Sequence, residues 1–137
     1  MEAKQLIGID VGHKRIGVAR ASSSAKIAEP LVTIQASEGL ERLQQIIKQE
    51  SAGTVVVGLP RSLQGDDTAQ TIWVREWVDA AKKKIKLPFY WQDEALTSQI
   101  AEAERKAHKS PHEIDSLAAA IILQDFLDAP EAERSLC

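Results

Sequence analysis

Three acidic positions in this chain stand where acids are costly. Asp10 closes the apolar run LIGID, Asp93 and Glu94 close the run FYWQDE, and Asp115 comes just ahead of LAAAIIL. A lone carboxylate in a core costs on the order of several kcal/mol unless it is solvated, paired or bound to a cation. Gathered together, the three would repel unless a cation lay between them. Hard oxygen donors at a partly open site suit Mg2+ or Mn2+. One or two such ions activate water and stabilise a leaving oxygen, which is the chemistry of phosphodiester hydrolysis. Each acid alone also has a plain structural role. Asp115 would complement a helix dipole, and Asp93 or Glu94 would be the polar end of a strand. Strand alternation points Asp93 and Glu94 to opposite faces, so one of the two joins the site.

Three strands are predicted first: residues 5–10, 15–21 after a turn at Gly12, and 31–35 after Pro30. Short links between them suggest an antiparallel meander. The pattern then alternates. Leu40, Leu43, Ile46 and Ile47 have helical spacing, with Ser37 as the expected N-cap. TVVVGLP (54–60) reads as a buried parallel strand. Asp67 is the expected cap of the next helix, with Gln70 in the capping-box position. Residues 87–94 form the last strand, and a short helix opens at Thr97. Ser110, Pro111 and Glu113 then start a final helix. The order is that of a ribonuclease H-like α/β domain. Its sheet is mixed and five-stranded, three antiparallel strands followed by parallel β-α units, with helices on both faces. Residues 1–127 are expected to form this one domain, and 128–137 a loose tail.

This order takes Asp10 and the Asp93-Glu94 pair to the carboxyl edge of the sheet, where sites form in open α/β folds. Asp115 shares a helix face with Ala118, Ala119 and Ile122, so it faces the sheet or its rim. Lys14, Arg15 and Arg61 lie near the same edge and are candidate phosphate contacts; a solvated side chain is the plain reading of each. Gly12 is read as a turn residue needing unusual backbone angles. Trp77 and Trp91 are read as core, Trp73 as core or a stacking platform, and His108 and His112 as loop residues near the site.

Composition narrows the classes. With 137 residues, 44% apolar and 27% charged, the chain can bury one normal core. No apolar run is long enough to span a membrane. The first residues lack the apolar stretch of a signal peptide. A single cysteine, Cys137, excludes an intrachain disulfide and fits a cytoplasmic location. A net charge of −3 does not advertise general nucleic-acid affinity, so a nucleic-acid partner would be held at local basic clusters.

The segments GIDVGHKRIGVA (8–19), EPLVTI (29–34), VVVGLPRSLQG (55–65), DEALTS (93–98) and EIDSLAAAIILQDFL (113–127) carry a resemblance. Together they are similar to the YqgF family, also called RuvX, of Holliday-junction-resolvase-like proteins and pre-16S rRNA nucleases. The resemblance spans nearly the whole chain. It implies a metal-dependent ribonuclease H-like nuclease acting on structured nucleic acid, with a bacterial role in trimming the 5′ end of 16S rRNA precursor, in the setting of ribosomal precursor particles. It implies that Asp10, Glu94 and Asp115 form the acidic, metal-holding triad, with Asp93 the alternative to its neighbour. Family members often carry a basic residue after the DE pair, where this chain has Ala95. Three other readings compete: a Holliday-junction resolvase of branched DNA, a non-catalytic ribosome-assembly module, and an actin-like ATPase, whose phosphate loop shares GID-x-G. The last needs a second lobe and a second phosphate loop that the chain lacks.

Overall fold

The structure, a computed structural model, describes residues 5–62, 64–93 and 110–137. β1 (Gln5–Val11) and β2 (Arg15–Ser22) form an antiparallel hairpin, and β3 (Glu29–Gln35) pairs antiparallel with β2. After a short 3-10 turn, α1 (Gly39–Glu50) leads to β4 (Ala52–Leu59), parallel to β1. α2 (Ala69–Lys84) leads to β5 (Phe89–Asp93), parallel to β4. α3 (Pro111–Asp128) follows, and then β6 (Ser135–Leu136). The strand order is β3-β2-β1-β4-β5-β6.

The sixth strand corrects the expected five, and corrects the loose tail. Leu136 lies opposite Tyr90 and Ser135 opposite Trp91. The Cys137 N–H donates to the Phe89 carbonyl at 2.8 Å, and Lys82 Nζ to the Cys137 carbonyl at 2.6 Å. The tail covers backbone groups that an edge strand would otherwise leave to water. The predicted helix from Thr97 lies outside the described residues.

Alternation sorts the strands between two layers. Ile7, Ile9, Ile16, Val18, Val55, Val57 and Phe89 pack with Leu43 and Ile46 of α1 and Val74 and Val78 of α2. Leu6, Ala19, Ala21 and Val56 pack on the other face, with Ala119, Ile122, Leu123 and Phe126 of α3. Each fully buried aliphatic contributes about 1.5–3 kcal/mol. A one-residue slip would move every one of them to the wrong face, so the register is firmly held. Trp73, Trp77 and Trp91 are all partly buried against the first of these cores.

The helix starts show where side-chain chemistry was misjudged. Ser110 caps α3 as expected, its Oγ accepting from the Glu113 N–H at 3.2 Å, with Pro111 in the first turn. α2 is capped not by Asp67 but by Thr68, which exchanges bonds with Thr71 in a capping box. Asp67 is drawn off by Arg61 and Arg75, at 3.3 and 3.7 Å. Ser37 lies within the 3-10 turn, and Glu38 precedes α1 without a side-chain cap.

Candidate active site

Asp10 lies opposite Gly17 of β2, and Gly17 lies opposite Thr33 of β3. Neighbouring strands are about 4.8 Å apart, so these three form one short row across the sheet. The row belongs to the α3 face. Gly8, two residues before Asp10 on the same side of β1, lies under Leu123 and Ala119. The first turn of α3 rests directly on the middle of the row. A Cβ on Gly17 would come within 1.9 Å of the Asp115 carbonyl oxygen. Thr33 Oγ1 donates to the His112 carbonyl at 2.6 Å and ties down the same turn. Asp115, 105 residues away in sequence, is thereby brought over the strand next to Asp10. The glycine is needed for closeness of approach, not for its backbone angles.

Arg15 follows Gly17's side of β2 by alternation. Its Nε donates to Asp115 Oδ2 at 2.5 Å, and both side chains are partly buried. Arg15, expected to meet substrate, thus also anchors one oxygen of Asp115. Lys14 is exposed in the β1–β2 turn, and its carbonyl accepts from the Ala36 N–H. In the same turn His13 Nε2 donates to Gln70 Oε1 at 2.9 Å and its ring lies 3.9 Å from that of Trp73. These contacts fix the turn against α2. Gly12 does not need a left-handed backbone, because Gly65 is the glycine with positive φ among the described residues. A side chain at position 12 would instead come within 2.7 Å of the Arg15 carbonyl.

Other expected residues part from this group. Asp93 shares its side of β5 with Trp91 and Phe89, which pack on the α1–α2 side, and lies 3.7 Å from Arg61. It therefore sits across the sheet from Asp10. Arg61 is occupied by Asp67 and Asp93 in a separate cavity with Arg75, whose guanidinium lies 5.5 Å from the Trp91 ring centre. Glu94 and His108 lie outside the described residues. Among the described residues no three His, Cys, Asp or Glu side chains gather closely enough to hold a metal. Asp10 and Asp115 offer hard carboxylate oxygens, and the bond from Arg15 to Asp115 uses only Oδ2. Such a donor pair fits Mg2+ or Mn2+ better than a softer metal.

Sequence reasoning missed Gly17 and Thr33 as the seat of α3. The signal was present in the α3-facing side of RIGVARA, where Gly17, Ala19 and Ala21 are all small. That pattern invites a close helix, as Gly does wherever two backbones approach.

The family model described as RuvX, Holliday junction resolvase, matches residues 4–129. This chain belongs to the RuvX family. A relative from Roseiflexus sp. (strain RS-1), named "Putative pre-16S rRNA nuclease", is 38% identical over 136 residues, covering 93% of this chain and 96% of that protein. A relative of the same name from Thermoanaerobacter pseudethanolicus is 37% identical over 134 residues, covering 91% and 96%. Among solved structures, Thermus thermophilus RuvC in complex with a Holliday junction substrate superposes with a TM-score of 0.61 at 17% identity. The match covers 97% of this chain and 99% of that one. A second RuvC structure from the same organism gives 0.59 at 15% identity. The RuvX chain shares the ribonuclease H-like fold with these RuvC structures. No described helix is long and apolar enough to cross a membrane.

Proposed function

We propose that this RuvX protein is a metal-dependent endonuclease that hydrolyses phosphodiester bonds of structured nucleic acid, its reaction being 5′-end processing of pre-16S rRNA in the cytoplasm. The observation that carries this reading is the seating of the first turn of α3 on Gly17, beside Asp10. A structural aspartate near a helix N-terminus needs no such approach to a second carboxylate. Asp10 and Asp115 would hold Mg2+ or Mn2+, with Glu94 as the third ligand, because alternation turns Asp93 away. When bound, the cation would supply water activation and leaving-group stabilisation. Arg15 orients Asp115 by fixing Oδ2. Lys14 is free to meet a phosphate from the exposed turn. Arg61, as a phosphate contact, would first have to leave Asp67 and Asp93, so its part is the smaller. The names of the relatives, which match nearly the whole chain, favour precursor rRNA.

The family description and the fold shared with RuvC favour a second substrate, the four-way DNA junction. Single-turnover cleavage of precursor rRNA and of a four-way junction, side by side in Mn2+, tests the proposal. The expected result is cut rRNA with a defined 5′ end and a slower reaction on the junction. Faster junction cleavage would make the protein a resolvase. Binding of both substrates with cleavage of neither would make it a non-catalytic assembly module.

A further inference from the structure

An open depression lies between the β1–β2 turn, the end of β3 and the first turn of α3. It is lined by His13, Lys14, Arg15, Gln35, Ser37 and His112. Every ionisable group in that lining is basic in type. This sets it apart from two other cavities. The one around Arg61 and Arg75 also holds Asp93 and Glu133, and the one around Arg20 also holds Glu29 and Glu50. Arg61 and Arg20 face carboxylates of their own linings, whereas Asp115, the partner of Arg15, lies outside the lining of this depression. Lys14 and His112 are exposed, and Gln35 and Ser37 add neutral donors. Arg15 forms the wall next to Asp115. Its bond to Asp115 uses Nε, and a guanidinium carries four more N–H donors on its terminal nitrogens.

We propose that this depression is a phosphate subsite, which seats the backbone phosphate adjoining the one that is cut. The nuclease reading supplies only which phosphate is cut; binding in the depression does not depend on it. On a chain with a net charge of −3, a strand would be drawn to such a local basic patch rather than to the surface at large. The seat spans three elements that the Gly17 contact, the Thr33–His112 bond and the Ala36–Lys14 bond already hold together. A phosphate there would therefore register the strand against Asp10 and Asp115 without reading any base.

The test is binding in EDTA, where no cleavage occurs, to a fluorescein-labelled RNA stem-loop and a labelled four-way DNA junction over a range of salt. Lys14→Ala should weaken binding on the order of tenfold and reduce the salt slope by about one. His112→Ala should weaken it further in the double variant. Lys83→Ala, on the exposed last turn of α2, should bind like wild type. Far-ultraviolet circular dichroism of each variant shows that the fold is kept. Equal affinities and equal slopes for wild type and the Lys14→Ala, His112→Ala double variant would overturn the subsite, as would failure of wild type to bind either probe. Cleavage in Mn2+ is scored separately. Loss of binding in the variants with no cleavage by wild type keeps the subsite and ends the nuclease reading. Cleavage by wild type with unchanged binding in the variants does the reverse.

Discussion

Arg15 and Asp115 are the residues on which the site turns, and their partnership has an energetic signature. The pair is partly exposed, so its coupling is about 1 kcal/mol rather than the several expected of a buried pair. A double-mutant cycle with Arg15→Gln and Asp115→Asn, measured by urea denaturation, should return that value, whereas additive losses would show the contact to be idle. Asp10 and Asp115 were legible as candidates because each interrupts or borders an apolar run. The Arg15 contact was not, since the two residues are 100 apart and nothing local pairs them. Cys137 gives a second test. Burial raises its thiol from 9.0 to about 12. Below pH 9 folded and unfolded chains both keep this proton, so the contribution is fully present there. Between pH 9 and 12 the unfolded chain releases the proton and the folded one retains it, so stability falls as pH rises through this window. Cys137→Ser should flatten that fall in denaturation curves, and an unchanged curve would count against the buried thiol.

Gly17 carries the element-scale account. A methyl group there meets backbone rather than a movable side chain end, so α3 has to lift from the sheet. Gly17→Ala should cost at least about 1–3 kcal/mol of stability. It should also lower cleavage more than a variant of equal stability far from the site, such as a core Ile46→Val or Ile46→Ala chosen to match. Equal activity at equal stability would separate the glycine from the site. Most elements were legible in the sequence because alternation and helical spacing are local signals. The losses came where side chains had a competing partner: Asp67 was expected as a cap, but two arginines hold it and Thr68 takes the cap. β6 was illegible because a two-residue strand has no periodicity, and it exists by pairing with β5.

At the scale of the whole molecule, the mixed sheet delivers Asp10 at a strand end and α3 returns Asp115 to it across most of the chain. The topology was readable from the order of elements, whereas the close approach of α3 to β2 beside Asp10 shows only in the Gly17 contact. Removing residues 134–137 should expose the edge of β5, lower Tm by a few degrees and promote association, since about 1 kcal/mol shifts Tm by roughly 4 °C at this size; an unchanged Tm would make β6 dispensable. Saturating Mn2+ should raise Tm, with about 2.7 kcal/mol gained at a hundredfold excess over Kd. The shift should shrink in Asp10→Asn, and the absence of any shift in wild type would speak against the cation site. The most direct measurement is the single-turnover cleavage rate of Asp115→Asn in Mn2+, taken with its stability on the same preparation. The account predicts a protein that is folded, weaker by about 1 kcal/mol through the lost charge opposite Arg15, and slower by several orders of magnitude. A protein with that same small loss of stability and a wild-type rate would contradict it.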